Sequence, residues 1–299
     1  MQTSAGHARP EAGIEWVENA PLDRLNSMGL RATAGWLATL FNEESLIRFL
    51  EWTKAAGEEF VLLGGGTNVV LGDERLDAVI LRLGGEFAEF VVEGDRIIAG
   101  AAVPLARLVR EAQERGLAGL EQAWHIPGSL GGALVGNAGI PGWEIGDIVE
   151  WVEAFDTSGR RRRLAAPDLK FGYRQSNLAG EVVTRACLVL EVEEPERITD
   201  RLEQTRALRN RQPRAVRSAG CIFTNPPGDA AGRLIDAAGL KGRRRGGARV
   251  SSDHANFIVN ENDATGKEVL ELISEIRQRV REKFGIELET EVRIIRSAR

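Results

Sequence analysis

Residues 116–142, GLAGLEQAWHIPGSLGGALVGNAGIPG, constrain this chain more than any other stretch. Glycine and other small residues are interspersed with Leu, Ile, Val and Trp. The segment is therefore too apolar for a solvated linker and too rich in glycine for one regular helix or strand. Such a sequence suits close backbone approach to a bulky group. A second string, Leu63-Gly64-Gly65-Gly66-Thr67-Asn68, leaves an apolar run at Phe60–Leu63. Glycines after a strand let successive N–H groups turn toward one point, which makes a nest for phosphate or pyrophosphate. Thr67 and Asn68 can add side-chain donors. The spacing is not G-x-G-x-x-G, which argues against a classical dinucleotide fold. Either string alone could be a loop or hairpin. The two together favour a site for one large cofactor.

With 299 residues and about 150 per domain, two domains or three small ones are expected. A chain of this length can bury a sizeable core without disulfides or metal. The net charge of -5 argues against a nucleic-acid partner. Arg160–Arg163 and Arg243–Arg245 are basic clusters, read in the first place as solvated faces. Cys187 and Cys221 suggest no disulfide scaffold, and His7, His125 and His254 are too scattered for metal-ligand spacing. The opening MQTSAGHARPEAG has no apolar core of a signal peptide. No apolar run approaches the ~18 residues of a membrane span. A cytoplasmic protein is expected, with no metal, no membrane and no obligate protein partner.

Along the chain, a loose tail is expected at 1–13. A helix is expected over Asn42–Ala56, with Asn42 as N-cap and Gly57 as stop. Strands follow at Phe60–Leu63 and Ala78–Leu83, then a hairpin around Gly94-Asp95 and a helix over Pro104–Arg115. Further strands are read at Val149–Asp156, Arg161–Leu164 and Ala186–Val192, and a helix from about Ile198 to Arg211. The last third carries helices over Ala230–Ala238 and Lys267–Phe284, a β-like Ala255–Asn260 and a closing strand, Glu287–Ile295. Short mixed strands without regular βαβ alternation place the chain in the α+β class.

Four further strings carry candidate chemistry. The first, His125-Ile126-Pro127-Gly128-Ser129 through Gly132 to Asn137-Ala138-Gly139, supplies the second glycine element. Gly172-Tyr173-Arg174-Gln175-Ser176 holds the chain's one tyrosine beside a guanidinium whose planar fork suits a carboxylate. In Ser218-Ala219-Gly220-Cys221-Ile222-Phe223-Thr224-Asn225-Pro226 a cysteine stands at a tight turn. A buried small hydrophobe is the ordinary reading of one cysteine, and Cys187 fits it fully. Alternation over Glu289–Arg293 would put Glu289, Glu291 and Arg293 on one face, which is also what a solvated strand shows.

Taken in register, LGGGTN, IPGSLGG with NAG, GYRQS, SAGCIFTNP, AGRLIDAAGLKG, HANFIVN and LETEVRII resemble the UDP-N-acetylenolpyruvoylglucosamine reductase family from about Asn26 through Ile295. The resemblance implies an FAD-binding two-domain module of the PCMH/vanillyl-alcohol-oxidase type, joined to a smaller α+β domain for a nucleotide-sugar substrate. It implies domains at 14–76, at 77–206 with strand 287–299 returning to it, and at 207–286. The cofactors implied are non-covalent FAD and NADPH. Cofactor contacts would come from Gly64, Gly65, Gly66, Thr67, Asn68, Ile126, Pro127, Gly128, Ser129, Gly132, Asn137, Ala138 and Gly139. Substrate contacts would come from Tyr173, Ser176, Arg211, Asn225 and Asn256.

By the same resemblance Arg174 faces the substrate carboxylate, Glu291 manages protons, and Cys221 occupies the place of a serine that donates a proton to carbon. A thiol of pKa about 8.5 gives up a proton more readily than a hydroxyl, so Cys221 is expected to be the general acid. Other departures are Arg211 and Thr224 for lysines, His125 for glycine, Ile140-Pro141 for an aromatic position and Arg296 for glycine. Two further readings are weighed: an FAD oxidase or dehydrogenase with another substrate, and a non-catalytic nucleotide-sugar regulator. The substrate-half strings argue against the first, and retention of Arg174, Cys221 and Glu291 against the second.

Overall fold

A computed structural model describes residues 8–209 and 216–297. They form two compact units. The first holds the described residues up to Val17, Leu37–Gly65 and Val79–Arg209; the second holds Glu18–Trp36, Gly66–Ala78 and the described residues from Val216 on.

In the first unit, Leu37–Leu40 and Phe60–Leu62 flank Val79–Leu83 in parallel ladders. Helix α1 (Glu43–Ala56) starts where expected because Asn42 and Ser45 cap each other reciprocally, and it ends on Gly57 in a left-handed conformation. Its buried face presents Phe49 and Trp52, which pack with Trp16 in one aromatic cluster. An antiparallel sheet runs in the order Arg161–Ala165, Val149–Phe155, Val182–Val189, Arg96–Gly100, Phe90–Glu93. Helix α2 (Leu105–Glu114) buries Leu105, Leu108, Val109 and Ala112, and the same core takes up Leu130 and Leu134 of α3 (Leu130–Val135). Helix α4 (Pro195–Arg209) adds Ile198 and Leu202.

The second unit carries an antiparallel sheet in the order Ser218–Cys221, Phe257–Asn260, Ala248–Val250, Arg244–Arg245. Helices α5 (Ala231–Ala237) and α6 (Gly266–Phe284) complete its core, α6 through Val269, Leu272, Ile273, Ile276 and Val280. Each such side chain contributes about 1.5–3 kcal/mol on burial, so α6 anchors this unit. Its first residue has to be glycine, because a Cβ on Gly266 would stand 1.8 Å from the Leu71 carbonyl oxygen.

Three expectations change. Residues 8–13 are tied down: the Trp16 indole donates to the Pro10 carbonyl at 2.7 Å, and the Phe41 N–H to that of Gly13. The closing strand is shorter, Arg293–Ile295, and pairs in parallel with Val69–Leu71 rather than with 77–206. Residues 289–291 run antiparallel beside residues 222–224, with Leu288 and Val292 buried and Glu289 and Arg293 exposed, in keeping with the expected alternation. The basic clusters are matched to carboxylates: Arg161 to Glu43 and Glu153, Arg162 to Glu181, Arg163 to Glu153, Arg243 and Arg245 to Glu275, Arg244 to Glu261. Among the described residues, no helix is long and apolar enough to cross a membrane.

Candidate active site

The two glycine elements of the first unit meet backbone to backbone. A Cβ on Gly65 would lie 2.7 Å from the Gly128 Cα, and one on Gly64 would lie 2.8 Å from the Ser129 hydroxyl. Gly128 reaches this position with φ +120°, a conformation that side chains resist. The Gly128 carbonyl accepts from the Leu105 N–H, and Leu130 N–H donates to Val103, which seats the 126–132 loop on the start of α2. Gly64, Gly65, Pro127 and Gly132 remain exposed, while Ser129 is buried and Ile126 half-buried against the core. A Cβ on Gly132 would touch only the Ser129 hydroxyl, at 3.7 Å. The exposed strip thus has backbone donors and almost no side-chain bulk, a cradle that fits the pyrophosphate of FAD.

The Tyr173-Arg174 pair forms the tip of a hairpin between Phe171–Gly172 and Gln175–Ser176. Three hydrogen bonds lace this hairpin to residues 135–139. Asn137 Nδ2 donates to the Gly172 carbonyl at 3.0 Å, Arg174 Nη2 to that of Gly139 at 3.0 Å, and the Ser176 hydroxyl to that of Val135 at 2.8 Å. Both Asn137 and Arg174 sit at positive φ, +41° and +58°, unusual for side-chain-bearing residues and tolerated best by asparagine. The Arg174 guanidinium lies 5.2 Å from the centre of the Tyr173 ring, itself half exposed. Asn137 is fully buried, donates to the Glu144 carboxylate at 2.6 Å and accepts from the Gly146 N–H. Its side chain is therefore spent inside the protein, and so is that of Ser176, which also accepts from the Leu178 N–H.

In the second unit the remainder of the first glycine string continues from Gly66, whose Cβ would overlap the Leu25 carbonyl oxygen at 2.0 Å. Asn68 donates to the Glu291 carbonyl at 3.2 Å, and its own carbonyl accepts from Arg293. Cys221, half-buried, ends its strand after Gly220 at φ +80°, past a bulge in the ladder to Phe257–Asn260. The Glu291 N–H donates to the Ile222 carbonyl at 2.8 Å, and Phe223 bridges to Thr290. Thr67-Asn68, Cys221 and Glu291 are thus gathered in one unit from three distant parts of the chain. Asn225 accepts the Ala231 N–H at the start of α5.

Asn256 departs from its expected role. It is buried, its Oδ1 accepts from the Phe223 N–H at 3.0 Å and its Nδ2 donates to the Phe223 carbonyl at 2.8 Å, so it faces backbone rather than substrate. Arg211 lies outside the described residues. His254 accepts the Asn256 N–H on Nδ1, packs edge-on against Phe257, and is held below the ordinary imidazole pKa, chiefly by burial. Cys187 is fully buried, and burial, reinforced by its hydrogen bond to Glu150, pushes its thiol up to about 12. Among the described residues no group of three His, Cys, Asp or Glu could hold a metal ion. The lacing by Asn137 was not legible in periodicity; an asparagine between glycines, able to take positive φ, is its only sequence signal.

Residues 212–295 match the UDP-N-acetylenolpyruvoylglucosamine reductase C-terminal domain, and residues 37–165 match an FAD binding domain. UDP-N-acetylenolpyruvoylglucosamine reductase 2 of Symbiobacterium thermophilum is 41% identical over 284 residues, covering 92% of this chain and 90% of that protein. The chain belongs to this reductase family. The reductase of Moorella thermoacetica is 39% identical over 293 residues, covering 97% of this chain and 96% of its own length. The crystal structure of the UDP-N-acetylenolpyruvylglucosamine reductase of Thermus caldophilus superposes with a TM-score of 0.82 at 38% identity, over 95% of this chain and 99% of that one. The α+β class and the FAD-binding module expected from the sequence accord with these matches.

Proposed function

We propose that this protein reduces the enolpyruvyl double bond of UDP-N-acetylglucosamine enolpyruvate to give UDP-N-acetylmuramate, a peptidoglycan precursor, in the cytoplasm and with NADPH as reductant. The observation that carries this reading is the gathering of Cys221 and Glu291 on adjoining segments, joined through the Glu291–Ile222 hydrogen bond. Family membership supplies the substrate class, and the exposed glycine strip of the first unit fits FAD.

FAD, held without a covalent link along the glycine strip of Gly64, Gly65 and Ser129, would supply the hydride for the substrate's double bond, with NADPH as the source of that hydride. Arg174 is assigned to the substrate carboxylate, where its fixed charge stabilises the negative charge that develops as hydride arrives. The Cys221 thiol donates the proton to the adjacent carbon, and Glu291 orients and exchanges protons there. Gly64, Gly65 and Ser129 bind the cofactor's pyrophosphate; Asn225 and Tyr173 border the substrate.

The test follows the flavin spectrum anaerobically. NADPH should bleach the yellow protein, and the enolpyruvyl nucleotide sugar should restore the colour. Cys221→Ala should still bleach but recolour far more slowly, whereas Cys221→Ser should recolour. Bleaching without recolouring of the wild type would point to another acceptor, and a protein that binds no FAD would refute the flavoenzyme reading.

A further inference from the structure

The ladder between Ser218–Cys221 and Phe257–Asn260 is interrupted by a bulge and ends at the Cys221–Phe257 pair. The residues that follow, Ile222 and Phe223, continue beside the 289–292 segment, and a strand leaving its ladder normally exposes unpaired backbone groups. Here Asn256 replaces the ladder. Its carbonyl accepts from Ile222 N–H at 2.8 Å, and its carboxamide satisfies both the N–H and the carbonyl of Phe223. The opposite side of the same two residues is held by Glu291 and Thr290. Asn256 is 3% exposed, so all three bonds lie out of competition with water.

We infer that Asn256 is a positioning residue for the proton-donor turn: its carboxamide fixes Phe223, and through it the placement of Cys221 relative to Glu291. The inference rests on the assignment of Cys221 and Glu291 made above. Phe257–Asn260 carries its own control. Asn260 is also buried, at 4%, and also bridges backbone, but its carboxamide bonds run to Met28, Gly29 and Ala264 rather than to Ile222 or Phe223.

Two readouts separate positioning from general loosening. The first is alkylation of the native thiol by iodoacetamide. With Cys187 fully buried, it reports Cys221 and needs neither substrate nor cofactor turnover. Asn256→Ala should alkylate at least about threefold faster than wild type, and Asn260→Ala at the wild-type rate. The second is the split of half-reactions in the holoenzyme. Asn256→Ala should slow substrate-dependent flavin reoxidation by about tenfold or more while NADPH-dependent reduction stays within about twofold. Should alanine fail to fold, Asn256→Ser, which can serve one of the two Phe223 partners, should give intermediate values in both assays. Equal changes in the Asn256 and Asn260 variants, or no change in either, would overturn the inference. If the wild type itself fails to reoxidise with the nucleotide sugar, the proposed reaction falls and the alkylation comparison alone decides the role of Asn256.

Discussion

Gly132→Ala tests whether a cofactor lies against the exposed glycine strip, because nothing in the protein forbids the change. Gly132 is the third residue of α3, exposed, and its Cβ would meet only the Ser129 hydroxyl at an ordinary 3.7 Å. Alanine for glycine within a helix gains about 0.5–1 kcal/mol, so the apoprotein should melt at the same temperature or slightly higher. A ligand pressed onto that backbone would meet a new methyl group. Losing one close contact and shifting the ligand should weaken FAD by at least about tenfold, or about 1.4 kcal/mol. Gly65→Ala makes the contrast. Its Cβ would stand 2.7 Å from Gly128 Cα, where ordinary contacts begin at 3.4 Å, so the two loops must part. That change should lower stability by about 1–3 kcal/mol as well as FAD affinity. Thermal melting of the apoproteins and titration by quenching of flavin fluorescence give both quantities. A Gly132→Ala protein that binds FAD as tightly as wild type would refute the placement of the cofactor on this strip.

Three further outcomes are expected. Burial depresses the folded-state pKa of His254, so in the window below the unfolded value of about 6.5 the unfolded chain binds more protons. Stability should be full above that pH and fall as pH drops toward the folded value, and His254→Gln should flatten the decline in urea midpoints measured from pH 7.5 to 5. Asn137→Asp would set a second carboxylate against Glu144, at a contact that is now 2.6 Å. Paired carboxylates raise one pKa, so the loss, about 2 kcal/mol or more at pH 7, should shrink at pH 5; equal loss at both would contradict it. Native protein at pH 8 should take up one alkyl group, on Cys221, and a labelled Cys187 peptide would contradict the burial that holds its thiol up to about 12.

What could be read from the sequence depends on how local the cause is. Helix α1 was legible to its ends because Asn42, Ser45 and Gly57 settle its boundaries within a few residues. The closing strand was not, because its partner Val69–Leu71 lies more than 200 residues away in the chain and period-2 alternation names no partner. The same distinction runs through the site. Arg174, Cys221 and Glu291 carry chemistry that a motif displays, and they were named from the residues and the resemblance. Asn137 and Asn256 were named as well, but the resemblance assigned both to ligands. The structure turns both inward. Each sits buried with its carboxamide bonded to the backbone, Asn137 under the Arg174 hairpin and Asn256 under the Cys221 turn. A carboxamide carries a donor and an acceptor in the geometry of a peptide group, so it can replace a missing ladder partner where a chain must leave regular structure. Reactive side chains have to stand where regular pairing ends, and the backbone groups freed there must be satisfied. In each unit a buried asparagine meets that requirement directly beside a residue assigned to the chemistry.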